Sequence, residues 1–170
     1  MKSRRNLAPV VALVLLSVAG AAFARSSDRR QAIDIEGGSA VYSTDDSRPT
    51  VLSGGVTITQ GTLRITSSTA EITMVNGEAV RAVLRGGPVK MSQQLDDGTP
   101  MSSTSAAADY DMKADVVVLS GNVTVQQTRG TLTGDRVNYN MKTGQVASGA
   151  AAGGGRVKMH ILPKNNAGTP

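Results

Sequence analysis

The chain has 170 residues, 18 of them Lys or Arg against 13 Asp or Glu, and it contains no cysteine. Without thiols it cannot form disulfide staples, thiolate metal sites or a lipidated N-terminal cysteine. Aromatic residues make up only 2% of the chain, too few to build base-stacking or sugar-stacking platforms.

At the N-terminus, Lys2, Arg4 and Arg5 precede an apolar stretch from Leu7 to Ala19, and Ala22-Phe23-Ala24 has the form of a cleavage site. Residues 1–24 are therefore predicted to be a secretory signal, with an apolar run too short to span a bilayer. Three basic residues and no acidic ones lie in it, so the net charge of +5 falls to +2 for residues 25–170. That balance gives no argument for a nucleic-acid partner. The remainder is long enough to stabilise one domain through its own core.

Beyond the signal, apolar and polar residues alternate at period two, the mark of half-buried strands. Ile33-Asp34-Ile35-Glu36 begins the series. A turn at Asp45 to Pro49 follows, and then Val56-Thr57-Ile58-Thr59 and Leu63-Arg64-Ile65-Thr66. Asn76-Gly77, Asp96-Asp97-Gly98 and Lys142-Thr143-Gly144 are further turns, while Val123-Thr124-Val125-Gln126 and Val157 to Ile161 are further strands. The alternation puts Val56, Ile58, Val123 and Val125 on apolar faces, with Thr57, Thr59, Thr124 and Gln126 behind them. Residues 163–170 are polar, carry two prolines and read as a disordered tail.

The pattern is written twice. Leu52-Ser53-Gly54-Gly55-Val56-Thr57-Ile58-Thr59-Gln60 returns 67 positions later as Leu119-Ser120-Gly121-Asn122-Val123-Thr124-Val125-Gln126-Gln127. The same register carries Met74 and Gly77 onto Met141 and Gly144. Gly86-Gly87-Pro88-Val89-Lys90-Met91 then matches Gly154-Gly155-Arg156-Val157-Lys158-Met159, and Ala40-Val41-Tyr42 matches Ala108-Asp109-Tyr110. Two similar halves share one strand plan and gain by stacking. A period of 67 argues against a β-solenoid, whose coils repeat at about 20–30 residues.

Catalytic chemistry finds little purchase. His160 is the only histidine and sits in an alternating strand. The glutamates Glu36, Glu71 and Glu78 and the aspartates of the turns suit strand and turn roles better than an opposed carboxylate pair. Neither a metal site nor a cofactor is expected, and an enzyme is the disfavoured class. What remains is an apolar face of aliphatics, tyrosine and the unbranched Met74, Met91, Met112, Met141 and Met159. Such a face builds either a filled core or an open groove between two sheets, and composition does not choose between them.

The motifs Ile33 to Glu36, Leu52 to Val56, Gln60-Gly61-Thr62-Leu63-Arg64-Ile65, Leu119 to Val123 and Gly134-Asp135-Arg136-Val137 with Tyr139 occur in an order and spacing that resembles the OstA-like family, from about Ile33 to Ile161. Gly55 departs from that pattern by replacing an Asn, Ser67-Ser68 by replacing a small residue and Asp, and Met91 by replacing an aromatic. The resemblance implies an all-β, twisted and slightly open antiparallel β-jellyroll over residues 25–162, located in the periplasm. It further implies a carrier of lipopolysaccharide that stacks end to end, with an inner-membrane-anchored OstA-like partner at the N-terminal edge and the N-terminal domain of an outer-membrane translocon at the C-terminal edge. On this reading Ile33, Ile35, Val56, Ile58, Ile65, Met91, Tyr110, Met112, Val123, Val125 and Val137 face the lipid. The alternatives are a secreted structural or adhesive β-repeat protein and another OstA-like member of the same pathway.

Overall fold

The computed structural model describes residues 28–43, 48–149 and 156–163. The predicted signal, the turn residues 44–47, Gly154 and Gly155 of the repeat, and residues 164–170 of the predicted tail lie outside them.

Among the described residues, ten strands form a single antiparallel sheet. They are β1 (Asp34–Glu36), β2 (Ser39–Val41), β3 (Thr50–Gln60), β4 (Leu63–Val75), β5 (Glu78–Gln94), β6 (Pro100–Asp111), β7 (Val116–Gln127), β8 (Gly130–Asn140), β9 (Gln145–Ser148) and β10 (Lys158–Ile161). β3 to β8 follow one another as a meander. β1 and β2 both pair with β3, on its C-terminal and N-terminal halves respectively. β9 and β10 share the far edge of β8 in the same way. The short pairs thus act as two broken strands, giving eight strand positions and a sheet that does not close on itself.

The ladders joining the long strands all slip register near their middles. The breaks fall between Ser53 and Val56 on β3, Thr66 and Thr69 on β4, and Arg85 and Val89 on β5. They continue between Thr104 and Ala107 on β6 and between Ser120 and Val123 on β7. The repeat motif supplies these bends. Gly54 and Gly55 on β3, Gly86 and Gly87 on β5, and Gly121 and Asn122 on β7 all hold positive φ, between 45° and 87°, a conformation that costs an ordinary side chain free energy. Gly55 and Asn122 therefore do the same job despite their different identities.

The intervening strands bend by another means. The Ser67 hydroxyl donates to the Thr69 carbonyl at 2.9 Å, and the Ser105 hydroxyl donates to the Ala107 carbonyl at 3.0 Å. Each occupies a carbonyl close to the interrupted ladder. The two kinds of bend nest together, since a Cβ on Gly86 would lie 2.9 Å from that of Ser68, and one on Gly121 would lie 2.7 Å from that of Ala106.

The aligned bends divide the sheet into two walls that face each other. The parity of the buried residues changes at the bend in β4, from 63, 65 and 67 to 70 and 72, so that one face stays inward throughout. The inward side chains form one continuous apolar cluster from Leu52 to Met141. In the wall bearing the second halves of the even strands, Leu52, Ala70, Leu84, Ala108 and Leu119 are register neighbours, alternating large and small.

On the outer face, Arg81 makes a two-pronged contact with Asp109, at 2.8 Å from Nε and 2.5 Å from Nη2. That hydrogen bond holds the Asp109 carboxyl below the ordinary carboxylate range, against an opposing effect of partial burial. A depressed carboxylate stabilises the fold above the unfolded-state pKa and loses that contribution as pH falls through its folded value. The pair is substantially exposed, so Asp109→Asn is expected to cost no more than about 1 kcal/mol at neutral pH. In urea titrations the difference from the parent chain should close as the pH drops below about 4; a gap persisting at lower pH would contradict the assignment.

Candidate functional site: the interior between the walls

The two walls meet along their hairpin ends. Tyr110, at the end of β6, donates its hydroxyl to Gln60 Oε1, at the end of β3, over 3.1 Å. Tyr139 on β8 does the same to Gln93 on β5 over 3.2 Å. Members of each pair are three strand positions apart within the sheet, so both bonds cross the interior. They act as clasps, roughly 10 Å apart given the usual strand spacing. Gln60 Nε2 also donates to the Gln31 carbonyl at 3.2 Å. Beside it the buried Asp28 carboxylate accepts from the Thr62 amide at 2.9 Å and from the Thr62 hydroxyl. Gly61 has no Cβ to block this approach, and a Cβ there would sit 2.5 Å from the Asp28 carboxyl carbon.

Most of the sequence-predicted groove residues come together on the inward face. Val56, Ile58, Ile65, Met91, Tyr110, Val123, Val125 and Val137 are buried in the cluster, while Ile33, Ile35 and Met112 pack against its margin half-buried. Thr57, Thr59, Thr124 and Gln126 lie on the opposite face. Of the methionines, Met91, Met101 and Met141 are buried, Met74 and Met112 are marginal, and Met159 is 63% exposed on β10. His160 is exposed on the same short strand.

Across its middle the interior is filled by these side chains, so the open trough allowed by the alternation is not present along the whole length. Space remains at the C-terminal end, where a cavity of about 360 Å³ lies among Val125, Gln127, Leu132, Val146, Met159 and Ile161. A second depression of about 400 Å³ lies on the outer face, lined by Arg64, Thr66, Lys90, Ser102 and Thr124 among others. The Ser103 hydroxyl is buried without a hydrogen-bond partner among the described residues.

Sequence reading missed the clasps. It singled out Tyr110 but neither Gln60 nor Gln93 as a counterpart to a tyrosine, although Gln60, Gln93 and Gln127 recur at intervals of 33 and 34 residues. Leu132 and Val146 were also missed as cavity walls.

A kinked, unclosed antiparallel sheet folded around an apolar interior defines a β-jellyroll of the open kind. The chain belongs to the family described as LptA/(LptD N-terminal domain) LPS transport protein, whose model matches residues 34–145. It is 32% identical over 174 residues to the lipopolysaccharide export system protein LptA of Escherichia coli strain K12, covering 98% of this chain and 92% of that protein. The LptA of Haemophilus influenzae is 27% identical over 166 residues, covering 96% and 95%. Among solved structures, LptH, the LptA-homologous periplasmic component of the lipopolysaccharide transport device of Pseudomonas aeruginosa, superposes with a TM-score of 0.72 at 26% identity. That match covers 81% of this chain and 99% of LptH.

Proposed function

We propose that this protein is a periplasmic, non-enzymatic carrier that holds the acyl chains of lipopolysaccharide between its two walls and passes the lipid toward the outer membrane. The observation that carries the reading is the continuous apolar inner face, which ends in an unfilled cavity beside the exposed strand β10. Each methylene kept from water is worth about 0.8 kcal/mol, so a chain of a dozen carbons costs on the order of 10 kcal/mol to expose. Side chains of the described interior must move aside to admit it. Aliphatic contacts are non-directional, which suits a carrier that must also release. A polar linkage reaching Ser103 would relieve a burial cost of about 1–3 kcal/mol.

The edges of the sheet support end-to-end assembly. Val41 and Tyr42 are exposed at one, Met159, Ile161 and Leu162 at the other, and unpaired strand edges recruit further strands. On this reading the N-terminal edge accepts an inner-membrane-anchored relative, the C-terminal edge meets the translocon, and copies of the chain stack between them.

A photo-crosslinker at Val125 or Val56 is expected to capture lipopolysaccharide, with about tenfold fewer adducts at Thr124 or Thr57 because neighbouring strand residues point to opposite faces. Equal labelling of the two faces would remove the interior as the lipid site.

A further inference from the structure

We infer that Tyr42 of one copy closes a third clasp on Gln127 of the next, sealing the interior across the junction between stacked copies. The inference rests on the end-to-end reading above. Both existing clasps obey one rule, a glutamine on one strand position bonded to a tyrosine three positions further along. With β1 and β2 counted as the first position, Gln60 on the second reaches Tyr110 on the fifth, and Gln93 on the fourth reaches Tyr139 on the seventh. Gln127 occupies the sixth. Its partner would stand on a ninth position, one past the end of this chain and therefore the first of the next.

The register places Tyr42 there. Gln127 stands opposite Met101, which stands opposite Gln93. Arg64 opposite Ser92 puts the neighbouring Gln93 level with Leu63, the partner of Gln60. The three glutamines therefore lie in one cross-strand row. The tyrosines lie in another. Thr50, Ile72, Ala82, Tyr110, Val117, Tyr139 and Val146 are successive register partners. Val41 pairs with Val51, so Tyr42, one residue further, is level with Thr50 at the head of that row. A neighbour added beside Val146 would continue the row with its own Tyr42. Because the strand positions number eight, antiparallel alternation continues unbroken when the next copy joins in the same sense.

Each side of the junction is prepared for this. Tyr42 is 70% exposed, whereas Tyr110, its counterpart in the repeat, is buried. Gln127 lines the cavity of about 360 Å³ together with Val146 and Met159. Its amide nitrogen donates to the Met101 sulfur at 3.6 Å, and the amide carries an oxygen acceptor of the kind that Gln60 and Gln93 use.

The test measures self-association of the purified protein by sedimentation velocity for the parent chain, Tyr42→Phe, Gln127→Leu and the double variant. Each single change should weaken association roughly three- to tenfold, the worth of one hydrogen bond, and the double should be no weaker than either. Tyr110→Phe, which opens a clasp inside one copy, should lower the unfolding midpoint and leave association unchanged. A benzophenone side chain in place of Tyr42 should crosslink to the residues around Gln127 of a neighbour. Fully additive losses, or adducts elsewhere on copies that still assemble, would overturn the clasp and leave stacking intact. A parent chain that stays monomeric would overturn stacking itself.

Discussion

Leu84→Ala is expected to cost about 2–5 kcal/mol of folding stability, the range for emptying a leucine site that cannot collapse. Leu84 is fully buried, and its register neighbours across the sheet, Ala70 and Ala108, are already small. The substitution places three alanines side by side opposite the other wall, with nothing large enough nearby to fill the gap. Against the roughly 5–15 kcal/mol typical of a whole domain that is a large fraction. Urea unfolding should show a lower midpoint with an unchanged slope. The experiment also discriminates between states of the interior. If the walls stood apart in solution and Leu84 were wet, the loss would fall to a small part of this figure.

Gly130→Ala should detach the C-terminal edge without emptying the core. A Cβ at Gly130 would lie 2.1 Å from the His160 carbonyl oxygen, a backbone atom that a side-chain rotation cannot move. Gly130 is the register partner of Ile161, so the collision falls on the ladder that holds β10 to β8. Amide exchange at residues 158–161 is expected to lose its protection while β4 to β7 retain theirs. If copies join through this edge, association should weaken by more than about tenfold, as expected when a whole strand pairing is lost. Protection at 158–161 equal to that of the parent chain would refute the expectation.

The elements visible in the sequence were those that depend on local pattern. Alternation placed Val56, Ile58, Val123 and Val125 inward, and Asn76-Gly77, with positive φ at both residues, forms the turn between β4 and β5. The doubled Leu-Ser-Gly motif was visible too, but its meaning was not. Its residues bend the strands, and a bend is recognisable only when its neighbours across the sheet bend at the same level. The clasps escaped for a related reason. Gln60 and Tyr110 are 50 residues apart and meet only after the sheet has folded over, so neither side chain announces its partner locally. Nor could composition decide between a filled and an open interior, because that depends on how closely two walls approach rather than on which residues face inward.

The row of bends has a consequence for how such a molecule can diverge. Its angle is carried largely by main-chain conformation at Gly54, Gly86, Gly121 and their companions, rather than by the particular aliphatic groups that coat the surfaces on either side. The coating can drift through leucine, isoleucine, valine and methionine while the frame beneath keeps its shape. A quarter of shared residues is then enough to preserve one architecture, as the superposition on LptH illustrates.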